Sequence, residues 1–150
     1  MPTSVDLSAT TARLAMPLLY AAQAQKEMFV NEALSRLDIA LHAVCQAELA
    51  APPADPQAGE CWLVAGGATG EWAGHDDALA GYTASGWIFV APMEGMVLHD
   101  LSQGHDLRYL GGWQRPAPVA EPTGGSTIDA EARATLGELL EALRATGTIS

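Results

Sequence analysis

The stretch from Gln23 to Cys45, QAQKEMFVNEALSRLDIALHAVC, constrains this chain more than any other. Its residues Val30, Leu34, Leu37, Leu41 and Val44 step by 4, 3, 4 and 3, which sets five apolar side chains on one stripe of a helix. Phe29, Ile39 and Ala40 widen the stripe, while Glu27, Asn31, Glu32, Ser35, Arg36 and Asp38 fall mainly to the wet side. A helix of this length spans roughly 30 Å, about the width of a small domain. The stripe is therefore expected to form a packing face, either under the strands that follow or as a coiled-coil seam. On this reading Leu37→Asp costs at least ~3 kcal/mol, because it sets a carboxylate among Leu34, Leu41 and Val44. The helix should stop before Pro52, Pro53 and Pro56, although His42 to Leu49 can instead form a first strand.

From Gly59 to Arg115 the periodicity becomes strand-like. ECWLVAG, YTASGWIFVAP, GMVLHDL and LRYLGGWQR are short runs rich in aromatic and β-branched residues and bounded by glycine. Gly70-Glu71-Trp72, Gly86-Trp87 and Gly112-Trp113 share a local pattern. In the last two, Tyr82 and Tyr109 precede the turn, so each tyrosine should face a tryptophan across a hairpin. The expected fold is α+β: a long N-terminal helix packed on a small antiparallel β-meander, plus a C-terminal amphipathic helix after a Pro/Gly linker. The expected boundaries are an N-terminal arm at 1–13, a helix-plus-meander domain at 14–115, a linker at 116–125 and an oligomerisation or partner helix at 126–150. In the last segment Ile128, Ala132, Leu136, Leu139 and Leu143 repeat at helical spacing. Ser126 or Thr127 can cap it, and Gly147 can close it.

With 150 residues and a formal charge of −11, carried against only seven Lys and Arg, the chain has no basic stripe to neutralise phosphates. Nucleic acid and anionic membrane surfaces are not expected partners. No apolar run approaches the ~18 residues of a membrane span. The opening MPTSVDLSATTARLAMPLLY has neither a basic n-region nor a long apolar core, so no signal peptide is expected and synthesis is assigned to the cytoplasm. Cys45 and Cys61 have no motif spacing and read as buried small hydrophobes.

Three His-Asp pairs, His75-Asp76, His99-Asp100 and His105-Asp106, carry metal-ligating chemistry. Neighbours on a strand point to opposite faces, and the pairs read better as polar turn residues than as a metal site. Asp76, Asp77, Asp100 and Asp106 offer carboxylates of the kind a glycosidase needs, but any acidic chain supplies such sets. There is no nucleophile elbow, and GGATG at 66–70 lacks the lysine and helix of a phosphate loop. No catalytic residue, metal or cofactor is assigned. Trp72, Tyr82 and Trp87 are candidates for a stacking platform under sugar rings; the same rings serve equally as core or interface.

The segments MPLLYAAQAQKEMFVNEALSRLD and APPADPQAGECWLVAGGATGEWAGHDDALAGYTASGWIFVAPMEGM resemble an uncharacterised domain family of bacterial prophages and gene transfer agents. The resemblance rests on Gln23, Gln25, Lys26, Asn31, Glu32, Ala33 and Leu34. It continues through Gly59, Val64, Gly70, Trp72, Gly74, His75, Trp87, Pro92 and Gly95. Met96 stands where the family often has a Trp. The tail EARATLGELLEALRATGTI resembles terminal helices of phage fibre and spike proteins. The resemblance implies a structural component of a virion or phage-like particle, an oligomeric head-spike or tail-fibre base presenting a host-attachment protein. The implied partners are other copies of the chain, a trimer first and a pentamer as the alternative, and another particle protein. The packing face would use Val30, Leu34, Leu37, Leu41, Val44, Ile128, Leu136, Leu139 and Leu143. The competing expectation is a carbohydrate-binding module for a cell-surface polysaccharide, and behind it a glycan-acting enzyme.

Overall fold

A computed structural model describes residues 9–20, 26–120, 129–146 and 148–149. The element order is α1 (Lys26–Ala40), β1 (Val44–Cys45), β2 (Glu48–Leu49), β3 (Cys61–Val64), a 3₁₀ turn (Gly70–Trp72), β4 (Leu79–Thr83), β5 (Gly86–Val90), β6 (Val97–Asp100), β7 (His105–Tyr109), β8 (Trp113–Gln114) and α2 (Ala130–Ala145). The class is α+β, but the expected long helix over a single antiparallel meander is wrong. The strands form two four-stranded sheets, ordered β1-β6-β7-β8 and β2-β3-β4-β5, and each has one parallel pair at its edge. The chain crosses between sheets within Val44–Leu49, the segment that sequence periodicity left open between helix and strand.

The helix is shorter than its apolar stripe, and it ends for a reason other than the prolines. His42 adopts a left-handed conformation with φ of 51°, a standard way to stop a helix. The guanidinium of Arg13 then covers the C-terminal carbonyls: Nη1 donates to the oxygens of Asp38 at 2.6 Å and Ile39 at 3.0 Å, and Nη2 to His42 at 2.8 Å. A cation there also complements the negative end of the helix dipole.

Residues 9–20 make a small hairpin, closed by a Thr10–Pro17 bridge, that lies on the face of α1 assigned to water. Its anchor is Asp38, only 4% exposed. The Asp38 carboxylate accepts from Thr11 Oγ1 at 2.7 Å and from the amides of Arg13 at 2.9 Å and Leu14 at 2.7 Å. Asn31 adds a reciprocal pair with Leu19, accepting from its amide and donating to its carbonyl. The hairpin runs across the expected arm–body boundary at residue 13; residues 1–8 lie outside the described residues. With the polar face turned inward, the predicted stripe faces out. Val30 and Leu41 are exposed and Leu37 is 53% exposed, Leu34 is half-buried, and Val44 belongs to β1. The expectation that Leu37→Asp is severely destabilising therefore fails.

The two sheets share one core. Cys61, Leu63 and Leu79 on the β2–β5 sheet pack with Cys45, Leu98, Leu107 and Trp113 on the other, and Ile39 of α1 and Ala43 complete the cluster. Gly81 on β4 is what lets α1 sit down: a Cβ there would lie 2.4 Å from the Ile39 side chain. The opposite face of the β2–β5 sheet carries Trp62, Val64 and Ala80, and Trp72 from the 3₁₀ turn covers them. Thus Gly70-Glu71-Trp72 is a lid rather than a third hairpin. The other two Tyr–Trp turns are hairpins, with Tyr82 opposite Trp87 and Tyr109 opposite Trp113. An ion pair between Arg115, just past β8, and Glu48 of β2 links the two sheets at the surface.

The C-terminal helix begins with Asp129 as its cap, accepting from the Ala132 amide at 2.9 Å. Ser126, Thr127, Ile128 and Gly147, expected at its ends, lie outside the described residues, as does 121–125 of the linker. No residue of α2 is buried.

Asp38→Ala removes three bonds to a buried carboxylate and strands two amides, so it is expected to lower stability by ~3 kcal/mol. Leu37→Asp is expected to cost the isolated chain less than ~1 kcal/mol. Urea unfolding of both variants at low protein concentration checks the inverted order. A larger loss for Leu37→Asp would restore the buried stripe.

Candidate functional site

The aromatic side of the β2–β5 sheet brings the expected platform residues together, but as packing. Trp87 is the hub, with Trp62 at 5.5 Å, Trp72 at 5.1 Å and Tyr82 at 4.9 Å between ring centroids, all edge-on. Such T-shaped contacts present ring edges to ring faces and leave little indole surface open. Trp72 is 0% exposed and cannot offer a face to a sugar; Tyr82 and Trp87 are half-buried.

Beside this cluster lies a groove of about 470 Å³ between α1 and the edge strand β5. Arg36 reaches across from the helix, its Nη1 donating to the Phe89 carbonyl at 2.7 Å. Its Nε and Nη2 donate to Glu32 Oε1 at 3.1 and 2.8 Å. Arg36 thereby occupies a carbonyl on an edge strand, where an unpaired ladder invites other chains. The imidazole of His75 lies flat on Phe89, with centroids 3.7 Å apart and planes 3° from parallel. Glu32, Gly74, His75, Trp87 and Pro92, all positions of the family resemblance, line this one groove. An i,i+4 pair of Glu32 with Arg36 is legible on a helix; the Arg36 bond to a strand 53 positions away is not. Asp38, Arg13 and Thr11 carried no motif signal, although a carboxylate between Leu37 and Ile39 marks a position that burial would have to satisfy.

Asp76, next to His75, ties the neighbouring loop down. Its carboxylate accepts from the amides of Gly67 at 3.0 Å and Ala68 at 3.2 Å, which hold its pKa below the ordinary 3.8. The other two His-Asp pairs interleave on one hairpin, where His99 is in register with Asp106, and Asp100 with His105. His99 Nδ1 lies 2.7 Å from Asp106 Oδ1 at the surface. Asp100 instead turns inward and accepts from the Ser102 amide and hydroxyl, capping the β6–β7 turn. Among the described residues no group of three or more His, Cys, Asp or Glu is placed to hold a metal ion. None of the described helices is long and apolar enough to cross a membrane.

A second hollow, about 540 Å³, follows the seam where the N-terminal hairpin meets α1 and the β4–β5 turn. Several of its polar walls, Thr11, Arg13 and Asp38 among them, already bond to one another. Cys61 lies at its base. Burial, opposed by nearby Arg13 and reinforced by Asp38, pushes the Cys61 thiol up to about 11. Burial, with Asp100 adding to it, pushes Cys45 up to about 12.

These features define a small two-sheet α+β module with an aromatic cluster and a groove at one sheet edge. Residues 30–114 match the family described as "Protein of unknown function (DUF2793)", and the chain belongs to that family. The match runs from within α1 to the last residue of β8, so it takes in both sheets and leaves the N-terminal hairpin and α2 outside. A comparison with curated proteins returns no match.

Two solution measurements follow from this chemistry. Thiol reagents at pH 8 are expected to label neither cysteine of the native chain and both after unfolding, since only the thiolate reacts; rapid native labelling would mean an open core. Asp76 contributes its tie above the unfolded aspartate pKa and loses it as pH falls through the depressed folded value. The amide resonances of Gly67 and Ala68 should therefore shift with a midpoint below 3.8, and Asp76→Asn should abolish that titration.

Proposed function

We propose that this chain is a self-associating structural component of a phage or gene-transfer-agent particle, an oligomeric spike or fibre base that helps present a host-attachment protein. One observation carries the self-association. The stripe of Val30, Leu37 and Leu41, flanked by Phe29 at 77% exposure, stands uncovered on α1, and α2 separately exposes Leu136 and Leu139. Exposed apolar surface at regular helical spacing marks an interaction face on a chain whose formal charge of −11 otherwise favours solvation. The particle setting rests on the resemblance of the QAQK–VNEAL helix and the GEWAGH turn to prophage and gene-transfer-agent proteins. A trimer is the expected state, as in threefold fibres, with a pentamer as the alternative at a capsid vertex. Light scattering at micromolar concentration is expected to give a closed oligomer; a mass of 15.6 kDa would overturn the proposal.

The second reading is a carbohydrate-binding module, and the groove favours it by setting the His75–Phe89 stack beside Trp87 and Arg36. The scaffold reading expects no retention of the full chain on polysaccharide columns. It also expects deletion of 126–150 to leave the two-sheet body folded with a lower oligomer order. Specific retention lost in His75→Ala would replace it with direct glycan recognition.

A further inference from the structure

We infer that Cys45 and Cys61 are a disulfide pair placed to close, forming a covalent tie between the two sheets. Both thiols are free in the structure, at 0% and 3% exposure, and both belong to the core cluster that the sheets share. The chain leaving β1 runs alongside β3: the Gln46 amide donates to the Cys61 carbonyl at 2.8 Å, and the Leu63 amide to the Ala47 carbonyl at 3.1 Å. On its other side Cys45 stays in the first sheet, in register with Asp100, and its carbonyl accepts from the Leu101 amide at 3.0 Å. In a trans peptide the preceding α-carbon lies on the same side as the N–H. The Gln46–Cys61 bond alone therefore keeps the two cysteine α-carbons within roughly 6 Å. Disulfides span about 4.4–6.8 Å between α-carbons. Because both side chains pack into the same layer between the sheets, closure needs no strand to turn over.

The oxidant is a small-molecule disulfide such as oxidised glutathione. Cys61 attacks first, since it lies at the base of the hollow beside the N-terminal hairpin and its Sγ donates only weakly, at 3.9 Å, to the Gly59 carbonyl. The Cys61 thiolate attacks one sulfur of the oxidant and expels the other as a thiolate, leaving a mixed disulfide. The Cys45 thiolate then attacks Sγ of Cys61 and expels the second small thiolate. The two protons lost by the cysteines end on the two released thiols, and the two electrons reduce the oxidant. Burial raises Cys61 to about 11 and Cys45 to about 12, so exchange runs while the core is open, during folding or local opening. Once the core closes, the same burial shields the bond from reductants. The tie pins the segment that crosses between the sheets and closes the loop 46–60, which removes freedom from the unfolded chain. None of this depends on self-association.

The test refolds the full chain from urea in a mixture of reduced and oxidised glutathione, then quenches with acid for mass analysis. The expected product is a single chain lighter by two hydrogen atoms, with the Cys45 and Cys61 peptides linked. It should keep the tryptophan emission of the reduced protein and unfold at a higher urea concentration. Cys45→Ala, refolded in the same way, should gain nothing from oxidation and carry glutathione on Cys61. Three results would overturn the inference: two thiols left free or capped by glutathione, a link between chains, or a linked chain that unfolds at lower urea than the reduced one. The comparison of oxidised with reduced native chain decides the matter even if Cys45→Ala fails to fold.

Discussion

The carboxylate of Asp38 is the interaction on which the rest of the arrangement depends. A charged group at 4% exposure persists only if its lone pairs are filled, and the described partners come from residues 11–14. The N-terminal hairpin is therefore held against α1, and Arg13 is delivered to the carbonyls at the end of that helix. This decides which face of α1 looks inward. Once Asn31 and Asp38 are turned to the hairpin, Val30 and Leu37 have nowhere to go but outward.

The β2–β5 sheet is the second organising element, because it is covered on both faces by different chemistry. One side is aliphatic and joins the other sheet through Leu63, Leu79, Leu98 and Leu107. The other is aromatic and is closed by a single 3₁₀ turn that drops Trp72 onto Trp62 and Trp87. The two layers meet at β5, whose alternating residues feed both: Ile88 and Val90 on one side, Trp87 and Phe89 on the other. Arg36 and His75 close around that edge strand and in doing so form the groove.

Much of the β region was legible because its signals are local. A tyrosine, a tight glycine turn and a returning tryptophan describe a hairpin through cross-strand pairing alone, and both such hairpins are present. Gly70-Glu71-Trp72 carried the same letters without a preceding tyrosine, and it became a lid because Trp72 had a tryptophan cluster to cover. The sugar-platform reading of Trp72, Tyr82 and Trp87 identified residues that do meet, but ring contacts measured in three dimensions determine whether faces are open. The parallel pairs β1–β6 and β2–β3 had no local signal: β1 and β6 are far apart along the chain, and β2 and β3 are joined by the irregular proline-rich segment 50–60 and not by a tight turn.

By itself, the sequence determined that one helix falls within residues 23–45 and another within 126–150, that the middle is short strands with aromatic hairpins, and that the formal charge is −11; the first helix proved shorter than expected, ending at Ala40. Periodicity, turn chemistry and net charge are properties of neighbouring residues and survive without a fold. Only the tertiary structure decided which side of α1 is buried, that the strands divide into two sheets, and that Arg36 and His75 meet at β5. Helical periodicity marks a face without saying what lies against it. Here a buried carboxylate with three donors from the N-terminal hairpin outcompeted a leucine stripe for the inside position.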